Sequence, residues 1–435
     1  MNLLYLNDRR GEYPPSLYAE TCPQLDPFPQ LKGQARADVA VVGGGYTGLS
    51  AALHLARRGY DVALVEAQRV GFGASGRNGG QLGSGQRQEV DWLEKHLGRE
   101  TARHLWDLAE EAKALVRDLA AEAGVTVRDG IAHACRNRAE LDHAAKLAEH
   151  LARHYDYDRV QALDRAGLAD LIGSKTYAGG DLDRGAGHLN PLALALGMAR
   201  LARAAGVRIH EGTHVHRVEH GRAGGKSVVH CDTGKIACDH VILAGNGYLG
   251  RLDPRIAARV MPINNYIVAT EPLGDRFPEI LPRMSAVADT KFVVNYWRLD
   301  GQRRLVFGGG ETVGYRFPKD ISGVVRPHLL SVYPQLEGVR LTHAWGGTLA
   351  ITMNRMPCFA RSAPNCLSAS GYSGHGVGMA TMAGRLMAEA VAGQAERFDL
   401  MGSLPMRSFP GGGMLRGPLL VAGMAWYGLR DRLGL

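Results

Sequence analysis

The sequence predicts an α/β protein in which a Rossmann-like lobe, of the kind in glutathione reductase, is interleaved with an α+β lobe built on an antiparallel sheet. Three observations predict it: a strand, glycine turn, helix and strand in residues 37–66, a second glycine turn opening a helix at 368–390, and helical segments followed by short strand-like runs between them. The first is the most specific. Val39–Val42 is a short β-branched run, Gly43-x-Gly45-x-x-Gly48 follows at once, and Leu49, Leu53 and Ala56 recur at helical spacing. Gly59 stops the helix, and Asp61–Glu66 is expected as the second strand.

Each residue of that unit has a physical task. Gly43 permits the tight turn, Gly45 lets a pyrophosphate approach the backbone because it has no Cβ, and Gly48 lets the helix pack closely on the strands. The N–H groups at the helix start, around Tyr46 and Thr47, then face the phosphates. Glu66, followed by Ala67, stands about twenty residues beyond the glycines, where a carboxylate accepts both ribose hydroxyls and repels a 2′-phosphate. The unit reads as a dinucleotide site that disfavours NADP.

The next segment separates flavin from nicotinamide. Gly71–Gln81 is a polar, glycine-dense loop in which Ser75, Arg77 and Asn78 offer donors to a diphosphate or to ring carbonyls, glycines such as Gly79 and Gly80 let the main chain lie against a flat ring, and Ala74 and Gln81 are expected at the cofactor with them. Far downstream, Ser368–Gly378 leads into a helix patterned by Met379, Met382, Leu386 and Ala390, again a glycine turn at a helix start.

Taken together, Gly43–Gly48, Ala74–Gly80, the strand and turn Val241–Tyr248 with Ala244 and Gly245, and the turn Gly371–Gly376 resemble the D-amino-acid oxidase-like family of FAD enzymes over nearly the whole chain. The motifs Val41–Ser50, Val70–Gly80, Trp345–Gly347, Ile351–Pro357, Gly371–Val377 and Trp426–Asp431 are most similar to the branch acting on gamma-glutamylated polyamines such as gamma-glutamylputrescine. The resemblance implies FAD on Val215, Gly371, Ser373, Gly374, His375, Gly376 and Val377 as well as on the residues above. It implies oxidative deamination of a primary amine: hydride passes to the flavin, water hydrolyses the imine, and oxygen or another acceptor takes the electrons. His375 is expected to donate to the flavin O2/N1 edge. Tyr296 and Trp345, with Tyr266 third, are expected as aromatic walls of the substrate site rather than a carboxylate clamp.

Departures from the sarcosine oxidases sharpen this. Gly378 stands where those enzymes carry a lysine for the substrate carboxylate, and Cys358 lies on the wrong side of Pro357 to match a flavin-linking cysteine, so noncovalent FAD is expected. The oxygen-activating lysine has no match around Arg304–Phe307, which leaves oxidase and quinone-linked dehydrogenase turnover, on amines or amino acids, as alternatives.

Composition fits an enzyme with two cored lobes: 435 residues, 45% hydrophobic and 22% charged. Six single cysteines without a CxxC pair and no secretory order at the N-terminus point to the cytoplasm. The net charge of +8 is dispersed among acids, as in Arg99–Arg103, so no nucleic-acid partner is expected, and a tRNA-modifying flavoprotein is the remoter reading. His210, His214, His216 and His220 lack a completing carboxylate or cysteine and are not expected to bind metal. The apolar tail Gly417–Leu429 falls short of the roughly twenty residues of a spanning helix, which leaves open surface contact through Trp426 and Tyr427.

The lobes alternate along the chain. Residues 1–36 are an extension; 37–90, 186–260 and 345–400 are expected in the FAD lobe; 91–185, helical, and 261–344, an antiparallel sheet, in the substrate lobe; and 401–435 as a tail. The hairpin Val215–Val218 with Ser227–Cys231, and strands at Met261–Thr270, Phe292–Leu299 and Arg304–Phe307, follow from alternation.

Overall fold

The computed structural model describes residues 2–221, 225–250, 252–310 and 314–410, and two sheets divide them. The first has the order Cys358–Ala363, Cys366–Ser370, Gly234–Leu243, Gly33–Val42, Val62–Val65, Arg208–His210. Its neighbours are parallel from Cys366–Ser370 onward. The hairpin Val215–Glu219 with Ser227–Cys231 is attached antiparallel to Gly234–Leu243.

The apolar run at 39–42 does not alternate because both faces are covered. Val39, Val41, Leu64 and Ile242 enter a core shared with helices Tyr46–Ala56, Pro191–Ala204 and Gly376–Val391. Ala40, Val42, Ala63, Val65, Val241 and Leu243 enter the core on the other side. Asn190 accepts from the N–H groups of Leu192 and Ala193, and Pro191 sits at the first turn, so the helix begins where the chain re-enters this lobe. Register aligns Val42 with both Val65 and Leu243. Three strands therefore end level, and Gly43, Glu66 and Ala244 begin along one edge.

The second sheet has the order Leu341–Ile351, Met261–Pro272, Arg304–Gly308, Tyr296–Leu299, Ala286–Asp289, Arg128–Cys135, Gly179–His188, Gln81–Leu82, with Val160–Leu163 beside Gly179–His188. All pairings are antiparallel except Ala286–Asp289 with Arg128–Cys135. One face buries Tyr266, Val268, Trp297 and Leu299 against helices Arg165–Ile172 and Ile321–Val332. The other face roofs the level ends of the first sheet.

The sheet departs from expectation in three places. Residues 91–185 are not only helical: they supply three strands, and the Gly179–Gly185 stretch of glycines and aspartates carries turn composition rather than strand composition. The strand expected from Phe292 begins at Tyr296, because the Asp289 carboxylate accepts the N–H groups of Lys291 and Asn295 at 3.2 and 2.9 Å and bends 290–295 into a turn. The strand through Trp345 stays in the second sheet up to Ile351, so the return to the first lobe comes later than 345. The apolar tail with Trp426 and Tyr427 lies outside the described residues, and among those described no helix is long and apolar enough to cross a membrane.

Helix Gly376–Val391 docks on Tyr46–Ala56 through Gly384, where a Cβ would lie 2.4 Å from the Thr47 carbonyl oxygen and 2.6 Å from the Ala51 nitrogen. Gly384→Ala is expected to destabilise the ligand-free protein by about 1–3 kcal/mol through overpacking against backbone. Urea denaturation checks this, and an unshifted midpoint would place the two helices farther apart.

Candidate active site

A cavity of roughly 1530 Å³ separates the level strand ends from the second sheet. Gly43, Gly45, Tyr46, Thr47, Glu66 and Ala67 line one end. Ala74, Ser75, Arg77, Asn78, Gly79, Gln81, Val215, Ala244 and Gly245 continue it, and Ser373, Gly374, His375, Gly376 and Val377 close it from the second glycine turn. Three glycines expected at the cofactor stand behind the wall instead. A Cβ on Gly48 would lie 1.8 Å from the Gly43 carbonyl oxygen, one on Gly80 2.0 Å from that of Leu189, and one on Gly371 2.6 Å from Thr352 Cγ2. Gly48 and Gly80 let backbone segments meet, and Gly371 leaves room for the Thr352 side chain.

The first end fits the ADP half of a dinucleotide. Gly43 has φ +113°, and a Cβ there would come within 2.7 Å of the Ala244 oxygen. The Glu66 carboxylate accepts from the N–H groups of Gly44 at 2.7 Å and Gln68 at 2.8 Å. Burial nonetheless raises its pKa to about 6, against those two donors. Ser75 Oγ accepts from the Tyr46 N–H at 3.0 Å, tying the polar loop to the helix start.

Several polar side chains do other work than expected. Arg77 is buried; its Nε donates to the Phe72 carbonyl at 2.6 Å, and its Nη1 to that of Gly346 at 3.1 Å while pairing with Asp8 at 3.0 Å. It braces the loop against the second sheet. Asn78 donates to the carbonyls of Ala74 and Ser75 and accepts the Gly80 N–H, so its amide closes the loop on itself. Burial, with Arg87 nearby, lowers the His375 pKa to about 4, so the ring is neutral. Its Nε2 lies 2.8 Å from the Gly85 carbonyl, which commits the one N–H of a neutral imidazole to backbone. The expected donation from His375 to a flavin edge is therefore not available to that proton.

The roof supplies one of the three expected aromatics. Tyr296 faces the cavity, donates to Asn265 Oδ1 at 2.5 Å, and fits a slot whose sides are Gly79 and Gly308. Tyr266 is fully buried on the opposite face, against Phe317, as its position between cavity-lining Asn265 and Ile267 requires. Trp345 shares the face of Gly347 and Leu349 but lies beyond the cavity, where its indole donates to the Arg77 carbonyl at 3.0 Å and packs edge-on to Tyr18. Both are core residues.

The profile of the family described as "FAD dependent oxidoreductase" (DAO) matches residues 38–390. This chain belongs to that family. It is 42% identical to a probable oxidoreductase OrdL of Rhizobium meliloti, covering 96% of this chain and 97% of the relative. It is 40% identical to the gamma-glutamylputrescine oxidoreductase of Escherichia coli, covering 98% and 100%. Glycine oxidase from Geobacillus kaustophilus superposes with a TM-score of 0.71 at 23% identity, covering 85% of this chain and 99% of that one. This chain is thus an FAD enzyme, and the glycine-rich end of the cavity has the lining that fits a dinucleotide.

The remainder of this DAO cavity was not legible in the sequence. From the roof, Asp181 lies 2.8 Å from His133 Nδ1; burial opposes a charge on His133, but Asp181 outweighs it and raises the ring to about 9. Asp183 accepts from Tyr157 at 2.6 Å and Ser84 at 2.5 Å, and buried Lys113 donates to Ser84 at 2.6 Å. The contrast with the expected purely aromatic wall is plain. An Asp-x-Asp pair on one strand face was the available signal, hidden by the glycines around it. Arg87, on the wall beside His375, carried no periodic signal at all.

Position 378 is buried against Leu82 and Ala112 and lies off the wall, so no lysine clamp exists there. Cys358 is also off the wall, whereas Cys135 reaches it from the roof with its thiol raised to about 12 by burial, Asp181 and other acids. Acid-denatured protein should release its flavin, running as FAD; colour left on the washed pellet would show a covalent bond. If the FAD ribose hydroxyls donate to the ionised Glu66 carboxylate, FAD affinity should rise with pH through about 6, and Glu66→Gln should flatten that dependence. Stability of the ligand-free protein from Glu66 runs the other way, present below 4.5 and lost through about 6. Trp345→Phe should cost about 1–3 kcal/mol of stability by orphaning the Arg77 carbonyl, with flavin-reduction kinetics intact. Gly308→Ala, whose Cβ would lie 2.1 Å from the Tyr296 ring, should change those kinetics.

Proposed function

We propose that this enzyme oxidatively deaminates the free primary amine of a gamma-glutamylated polyamine, with gamma-glutamylputrescine as the reference substrate. The observation that carries the reading is the reach of the cavity. Past Tyr296 and His375 it continues along helix Arg138–His154, where Ala144, Leu147, Ala148 and Leu151, with Val160 and Trp106, make an apolar recess. A substrate the size of glycine would leave that recess unused, whereas a tetramethylene chain fills it. The Escherichia coli relative acts on gamma-glutamylputrescine, which supports the same class.

FAD, when bound, supplies the hydride acceptor for the carbon bearing the amine. The chain's residues then position that carbon. The Tyr296 ring, fixed by Asn265 and by its glycine slot, limits where it can sit. Burial of the methylenes orients the reacting end, so the far end of the substrate contributes to rate as well as affinity. No protein nucleophile is required for hydride loss from a neutral amine followed by hydrolysis of the imine.

Anaerobic mixing of the FAD-loaded enzyme with candidate amines tests this. Gamma-glutamylputrescine should bleach the flavin at least tenfold faster than free putrescine at equal concentration, an order-of-magnitude consequence of the lost remote contacts. Fast bleaching by sarcosine or a D-amino acid, with none by gamma-glutamylated amines, would contradict the proposal.

A further inference from the structure

The charges of the cavity are not evenly compensated. Its carboxylates have partners within the protein: Asp181 with His133, Asp183 with Tyr157 and Ser84, Glu140 with Arg136 at 2.7 Å, Glu89 with His143 at 2.7 Å, and Asp289 with Tyr177 and Asn295. Arg87 has none of this kind. Its Nε donates to the Ser373 carbonyl at 3.2 Å, and among the described residues it forms no ion pair. The side chain is exposed to solvent on the cavity wall, where the Arg355 guanidinium and the Glu89 carboxylate act on it with opposite sign.

The geometry of what remains is specific. With Nε spent on Ser373, the outer edge of the guanidinium, Nη1 and Nη2, is left toward the cavity, and two parallel N–H groups on that edge match the two oxygens of a carboxylate. The Ser373 bond also fixes where that edge stands, because Ser373 belongs to the turn that opens helix Gly376–Val391 and lines the cofactor end. Residues 86–90 run from this turn to helix Arg138–His154, where Glu89 meets His143. Arg87 thus lines the same cavity as the cofactor turn and the apolar recess, held to the turn by Ser373 and followed two residues on by the Glu89 that meets helix Arg138–His154.

We infer that Arg87 is the anchor for a carboxylate at the end of the substrate remote from the reacting amine, and that this contact selects gamma-glutamylated amines over amides of the same length that lack the carboxylate. The inference rests on the substrate class proposed above, and it assigns to a loop arginine the task that position 378 does not perform. Arg355 adds positive potential and favours an anion over a second ammonium.

The test compares gamma-glutamylputrescine with 4-aminobutyrylputrescine, which lacks only the carboxylate, in anaerobic flavin reduction. Arg87→Met should raise the apparent Kd for the first by about 10- to 100-fold, leave the second within about twofold, and be partly rescued by Arg87→Lys. Equal effects on both amines, or no effect on either, would overturn the assignment, as would loss of FAD from Arg87→Met, which would give the guanidinium to the cofactor. A second readout needs no turnover: glutarate titrated into the oxidised FAD-loaded enzyme should perturb the flavin absorbance, and Arg87→Met should abolish that perturbation. If glutarate binds in an Arg87-dependent way while gamma-glutamylputrescine fails to reduce the flavin, the anion site stands and the substrate class falls. If neither the wild-type glutarate signal nor the discrimination appears, the anion site falls.

Discussion

The contact on which the rest of the structure depends is the approach of the first glycine turn to the neighbouring strand. Gly43 passes so near the Ala244 carbonyl that no side chain fits, and the register holds Val42, Val65 and Leu243 level behind it. From that edge Glu66 emerges at the correct reach, Ala244 and Gly245 begin the next wall, and the helix after Gly45 starts against Ser75. The same economy of side chains lets helix Gly376–Val391 seat on Tyr46–Ala56 through Gly384, which carries the turn 373–377 to the same cavity. Backbone proximity, available only where Cβ atoms are missing, converts four segments distant in sequence into one site.

The second sheet supplies what the dinucleotide lobe lacks. Its far face is an ordinary core of Trp297, Phe307 and Tyr333, which makes the roof rigid. Its near face holds Tyr296, Asn265, His133 and Asp181 toward the cavity. Rigid support from one face allows the other to carry polar and charged groups without losing position. The division also explains why so many charges are tolerated there: the acids are matched locally, and Arg87 retains its capacity for an external partner.

The parts of this architecture legible in the sequence are those written in local pattern. The dinucleotide unit is contiguous, so spacing alone gave the strand, turn, helix and Glu66. The strands Arg128–Cys135 and Gly179–His188 were hidden because their glycines and aspartates are poor strand formers, and tertiary pairing overrides that preference. Parity decides Tyr266, one residue out of phase with Asn265 and Ile267, but it cannot decide Trp345, which lies on the correct face and past the end of the cavity. Arg77 and Asn78 were read as ligand donors because a polar loop and a binding loop have the same composition. Only the three-dimensional partners show that the Asn78 amide is spent within the loop and that Arg77 gives Nε and Nη1 to carbonyls and Asp8, while its Nη2 is buried without a partner among the described residues.

The central claim is that segments near 43–47, 74–79, 244–249 and 373–377 form a single FAD site roofed by the second sheet. Amide hydrogen exchange of the FAD-free and FAD-loaded protein measures this directly, since a ligand bridging all four slows opening in each. Concerted protection of all four segments, with far-face strands such as Arg304–Gly308 little changed, is the predicted result. Protection confined to 43–67, with no change at 244–249 or 373–377, would contradict it.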